Sequence, residues 1–130
     1  MVKSGKIQNA AVGVATGLFS PSRTLENLKA YMQGFGWKTI YYNDGGAGDE
    51  YLAHLGMGDL AARFHAFTFC SDMERFIAID AKATDKLFLF AHEIGHIILG
   101  HDFFAPSFRE EREADEFAEA LLALIEKSAS

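Results

Sequence analysis

The spacing of hydrophobic residues changes several times along the chain, and each change marks an element. Residues 1–19 read as a short helix or an extended arm. Ile7, Ala11, Val14 and Leu18 fit one helical face, but Gly13, Gly17 and two valines weaken it. Ser20-Pro21 is a good helix opening, an N-cap followed by proline at the first helical position. Leu25, Leu28, Met32 and Phe35 then recur at helical spacing, and Gly34 and Gly36 close the element. Trp37 to Tyr42 is β-branched and aromatic and predicts a strand. Asn43 to Asp49 reads as a flexible glycine-rich loop, with neither the strand-to-helix setting nor the lysine of a phosphate-binding loop. Residues 50–63, with Gly56 and Gly58, fit no single period. Phe64 to Cys70 and Arg75 to Asp80 predict two strands, joined through Ser71-Asp72-Met73-Glu74 as an antiparallel hairpin. His65, Phe67 and Phe69 share one face of the first, and Ala66, Thr68 and Cys70 the other.

The stretch from Leu87 to Gly100 is different, being apolar on every side, and predicts a central helix inside the domain. Thr84-Asp85 can cap it, with Asp85 placed against its positive end. Three polar residues interrupt it: His92, Glu93 and His96. Positions i and i+4 stand one above the other, so the two imidazoles point the same way with a carboxylate beside them. That is the H-E-x-x-H arrangement, in which the histidines bind Zn²⁺ and the glutamate is general base toward water. The metal-free alternative is a structural network in an interaction domain. It must bury three polar groups and find each a separate partner, which is costly.

A catalytic zinc needs a third protein ligand and an open position. His101 is the tempting choice, yet it lies five residues after His96 where the extended H-E-x-x-H-x-x-G-x-x-H motif requires six. It fits better as a charge at the helix C-terminus or a group one step behind the ligands. Ser107-Phe108-Arg109-Glu110 is a capping box, so a last helix runs from about residue 108 to about Lys127. Its stripe is Ala114, Phe117, Leu121 and Leu124, and Glu113 lies about 40° from Phe117 on the helical wheel. Glu110 shares that face but is engaged by the capping box. A carboxylate on a buried face needs a partner, so Glu113 is the expected third ligand. A short connection folds this helix back on the central one and brings Glu113 level with the histidines. An oxyanion donor is also expected, with Tyr41, Tyr42, Tyr51, His54, His65 and His101 eligible.

The order of elements predicts a single α+β domain over residues 1–130. Its small antiparallel sheet packs against helices, with the histidine helix central and a ligand-bearing helix at the C-terminus. The net charge of −6 argues against direct nucleic-acid binding. Cys70 is the only cysteine, which excludes an intrachain disulfide. No apolar run reaches the roughly 18–20 residues of a transmembrane helix. Lys3 and Lys6 ahead of residues 10–19 resemble a signal peptide, but Gln8 and Asn9 interrupt the pattern and no small-x-small cleavage site follows. A cytoplasmic protein is expected.

A-H-E-I-G-H-I-I-L-G-H at 91–101, followed by E-R-E-A-D-E-F-A-E-A-L-L at 111–122, resembles the ImmA/IrrE-type metallopeptidase family. The resemblance spans about 40 residues and implies a minimal, gluzincin-like zinc endopeptidase. By position His92 and His96 match the motif histidines and Glu93 the general base. Glu113 matches the third ligand, and Asp115 a polar position suited to a supporting contact. The resemblance also implies a cytoplasmic enzyme that cleaves a helix-turn-helix repressor of a mobile element or stress response. The length leaves no room for the extra DNA-binding or sensor regions of some members, so that repressor is expected to be a separate protein. The alternative expectation is a zinc-containing module that grips a regulator or toxin-type partner without turnover.

Overall fold

A computed structural model of the chain describes residues 5–18, 25–103 and 105–129, with side chains described as far as Ile125. Among the described residues there are three strands and six helices. In chain order they are α1 (Gly5–Gly17), α2 (Leu25–Gly34), β1 (Lys38–Tyr42), α3 (Ala47–His54), α4 (Gly58–Arg63), β2 (Ala66–Cys70), β3 (Arg75–Asp80), α5 (Lys86–Ile98) and α6 (Phe108–Ala129). The architecture is α+β. The proposed opening at Ser20-Pro21 lies outside the described residues.

The sheet is mixed rather than wholly antiparallel, in the order β1-β3-β2. The hairpin forms as expected, β2 pairing antiparallel with β3 and Phe69 standing opposite Phe76. β1 pairs parallel with β3, Ile40 opposite Ala78. The reason lies in β3 itself. Phe76, Ile77, Ala78 and Ile79 are all fully buried, so this strand takes the centre, where both faces are covered, and separates the other two.

Each face of the sheet carries its own core. Ile77 and Ile79 join Trp37, Phe90, Ile94, Phe117 and Leu121 in the larger one, beneath α1, α2, α5 and α6. Phe76 and Ala78 join Tyr42, Leu52, Met57 and Phe67 in the smaller one, beneath α3 and α4. The N-terminal arm is therefore a helix, with Ile7, Ala11 and Val14 buried. Phe35 falls beyond the end of α2 and is largely exposed.

The glycine-rich stretch after β1 is ordered and leads from a strand into a helix, contrary to the sequence reading. The Asp49 carboxylate accepts from the backbone N–H groups of Asn43 (2.6 Å), Asp44 (3.2 Å) and Gly45 (2.7 Å), which hold it below the usual carboxylate range. The chain thus fills its own anion-binding turn. Gly48 is needed for proximity: a Cβ there would fall 1.7 Å from the Tyr41 carbonyl oxygen, so α3 lies directly against β1.

Candidate metal centre

Helix α5 buries Phe90, Ala91, Glu93, Ile94, Gly95 and His96. It is not enclosed on every side: His92 is half-buried, and Ile98 lies at the surface. Asp85 is its N-cap residue, without a side-chain capping bond. At the other end Gly100 adopts φ 73°, and the His101 N–H bonds back to the His96 carbonyl at 2.9 Å, ending the helix and reversing the chain. The capping box then opens α6 as expected: Ser107 N–H donates to Glu110 Oε1 (3.0 Å) and Glu110 N–H to Ser107 Oγ (3.1 Å).

The two helices meet where Gly95 faces Ala114 and Phe117. Glu111 and Asp115, one helical turn apart, flank Ala114 and reach the histidines. Glu111 Oε1 stands 2.7 Å from His96 Nε2 and 3.1 Å from His92 Nε2, and the two Nε2 atoms are 3.1 Å apart. Asp115 Oδ1 lies 2.7 Å from His92 Nδ1. These positions place a hydrogen bond behind His92, the kind of support the sequence suggests for Asp115.

The structure places Glu111, not Glu113, against the two imidazoles. Glu113 Oε1 is 2.9 Å from His101 Nε2, while Arg109 Nε donates to its other oxygen at 3.3 Å. The His101 bond, then Arg109, holds the Glu113 carboxyl below its usual range. The physical reason is rotational. The described buried face of α6 includes Ala118, Leu122 and Ile125 as well as Ala114, Phe117 and Leu121. Its centre is near Ala114, from which Glu111 is displaced by about 60° and Glu113 by about 100° in the other direction. The spacing Glu111-x-x-x-Asp115 is the signal that could have identified the pair.

The group formed by His92, His96 and Glu111 can hold a metal ion. Tetrahedral ligands at about 2.0–2.1 Å from zinc stand roughly 3.3 Å from one another, close to the separations found here. Burial pushes the His96 imidazole down from its ordinary value, with His92 adding to the shift and Glu111 opposing it; this favours the neutral, ligating form.

Glu93 faces the same region from the next position on α5. It is buried and accepts from the Thr68 hydroxyl at 2.7 Å, a partner from the neighbouring strand that the sequence did not disclose. Burial raises the Glu93 carboxyl above its usual range; Thr68 and His92 oppose this and Glu111 reinforces it. A cleft of about 90 Å³ opens here, lined by Glu93, His96 and Glu111 on one side and by Leu60, Phe64 and Phe103 on the other. The six side chains considered as oxyanion donors are not among those lining it. Tyr42, for one, gives its hydroxyl to the Phe64 carbonyl, and His101 stands behind His96.

No family model, curated protein or solved structure matches the chain. No helix among the described residues is long and apolar enough to cross a membrane.

Proposed function

We propose that the chain is a zinc-dependent endopeptidase acting on a protein partner. The observation that carries this reading is the convergence of His92 Nε2, His96 Nε2 and Glu111 Oε1 to within 2.7–3.1 Å of one another. Asp115 accepts a hydrogen bond from the N–H of His92 Nδ1, so a neutral His92 turns the lone pair of Nε2 inward. Electron-rich atoms gathered this closely repel unless a cation sits among them. Two imidazoles and one carboxylate suit zinc. Bound there, the ion would supply Lewis acidity toward a water molecule and a substrate carbonyl.

The protein's own part falls chiefly to Glu93. Thr68 engages Oε1, which leaves Oε2 to take a proton from water and pass it to the departing amide nitrogen. Burial, by raising the carboxyl, makes it the stronger base. Strand β2 is an edge of the sheet and lies along the cleft. The His65 carbonyl and the Ser71 N–H both bond toward β3, so in the alternation of the ladder the backbone groups of Ala66 and Thr68 face outward. They suit a substrate segment added as a further strand. The ImmA/IrrE resemblance supports a separate helix-turn-helix repressor as that partner.

The test is a comparison of wild type with Glu93→Gln, both loaded with zinc and incubated with host-cell extract, followed by sequencing of new protein N-termini. Glu93→Gln is expected to keep zinc and fold while producing none of the cuts made by wild type. Cleavage by the variant would overturn the role of Glu93. Zinc uptake without any new N-termini would leave a metal-containing binding module.

A further inference from the structure

The third imidazole of the site, His101, is buried and placed to control His96. His101 Nδ1 stands 2.9 Å from His96 Nδ1, and the two rings meet edge to face with centroids 5.1 Å apart. Two nitrogens at that distance need one proton between them, so one ring donates and the other accepts. The other nitrogen of His101, Nε2, lies 2.9 Å from the Glu113 carboxylate, which can only accept. A neutral His101 then has its single proton on Nε2 and a bare Nδ1. His96 must supply the proton of the shared bond from its own Nδ1, which leaves its Nε2 bare.

We propose that His101 and Glu113 are positioning residues, a relay that fixes the proton of His96 on Nδ1 and aims the lone pair of Nε2 at His92 and Glu111. The relay does for His96 what Asp115 does directly for His92. The difference has a structural cause. His92 is on the α6 side of the helix within reach of a carboxylate, whereas His96 Nδ1 points toward the turn after α5. Gly100, at φ 73°, reverses the chain there and puts His101 under it, and Glu113 is the carboxylate that faces His101. Both side chains are almost fully covered, His96 at 5% and His101 at 4% exposure, so water does not readily replace either bond. Arg109 anchors the far end by donating to the second Glu113 oxygen.

The inference rests on the metal reading above for what the lone pair is used for, but not for the relay itself. The relay can be read in the protein without metal, by long-range proton–nitrogen NMR correlations that report which ring nitrogen carries hydrogen. His101 is expected in the Nε2–H form, with and without zinc. His101 with its proton on Nδ1 overturns the relay whether or not zinc binds. A second measurement is zinc affinity by competition with a chromophoric chelator. His101→Phe fills the space without accepting a bond and is expected to weaken zinc by about 10- to 100-fold. His101→Gln, which can still accept from His96, is expected to recover most of that loss. Equal affinities for wild type and His101→Phe overturn the proposal. A wild type that takes up no zinc at all overturns the metal centre instead, and leaves the NMR result to decide the relay.

Discussion

Gly95 and Ala114 bring α5 and α6 together almost backbone to backbone: a Cβ built on Gly95 would lie 3.2 Å from the Ala114 Cα and 3.1 Å from the ring of Phe117. The candidate centre depends on this approach, because Glu111 lies one turn before Ala114 on α6 and the two histidines lie on either side of Gly95 along α5. A larger side chain has no room unless the helices separate. Gly95→Val is expected to lower stability by about 1–3 kcal/mol through overpacking, outweighing the loss of a helical glycine. Zinc affinity should fall with it. Denaturant titration and metal competition on the same preparation check both, and an unchanged affinity would show that the approach is not what assembles the ligands.

Elemental analysis of two variants separates the carboxylates. Glu111→Ala is expected to lose most of its zinc, whereas Glu113→Ala retains about one ion per chain with weaker affinity, since three ligands define the site. The reverse pattern would return Glu113 to the role its sequence position suggests.

Thr68 and Glu93 supply a third test. Thr68→Val removes the hydroxyl bonded to the buried Glu93 carboxylate and is expected to cost about 1–3 kcal/mol of stability. Thr68→Ser keeps the bond and should stay near wild type in both stability and cleavage. Equal behaviour of the two variants would remove Thr68 from the site.

The cleft can be probed without knowing the substrate. Hydroxamates chelate zinc, and calorimetry can compare acetohydroxamate with analogues bearing an isobutyl or a benzyl side chain. An isobutyl group entering among Leu60, Phe64 and Phe103 should tighten binding about tenfold or more, from roughly 0.8 kcal/mol per buried methylene. The benzyl compound should gain less, because about 90 Å³ is smaller than the roughly 150 Å³ of an engineered cavity that holds benzene. Equal affinity for all three would mean the cleft receives no side chain.

Asp80 governs an acid-sensitive corner away from the candidate metal centre. Its burial favours the neutral acid, but hydrogen bonds from the Lys82 N–H, His65 and Asn43 outweigh that and hold the carboxyl below its ordinary value. A depressed folded-state value means the contribution is complete above the unfolded value of about 3.9 and disappears as pH falls through the folded one. Asp80→Asn should therefore be less stable than wild type at pH 6, and the gap should close below about pH 4. Urea midpoints measured with chelator present exclude any effect of metal loss. A gap independent of pH would contradict the assignment.

The elements with strong periodicity were legible from sequence. α5, α6 with its capping box, the hairpin and β1 all appear near their expected boundaries, because each carries enough apolar residues at one spacing to outweigh local exceptions. The order of strands was not legible. It depends on which strand is buried on both faces, a property of the assembled sheet that the hairpin signal does not contain. Gly48 looked like part of a flexible loop because a glycine required for close packing and one required for a turn are the same letter. The stripe Ala114, Phe117, Leu121 and Leu124 omits Ala118, Leu122 and Ile125, which rotates its inferred centre toward Glu113 and away from Glu111, the carboxylate that stands against the imidazoles. Thr68 was placed on the correct face of its strand, but its partner lies 25 residues away and no local pattern announces it.

The proposed ligands, with the residues bonded behind them, all lie between His92 and Asp115, on two consecutive helices and the turn that joins them. Closing so short a segment is entropically cheap, whereas docking β2, which brings Thr68 to Glu93, must await the sheet. The metal-binding half of the centre can thus form in a helical hairpin before the base acquires its hydroxyl partner. On the proposed function, the nascent protein would hold a metal ion before Glu93 is bonded to Thr68. Stopped-flow refolding that follows zinc capture and tertiary fluorescence together should find capture first.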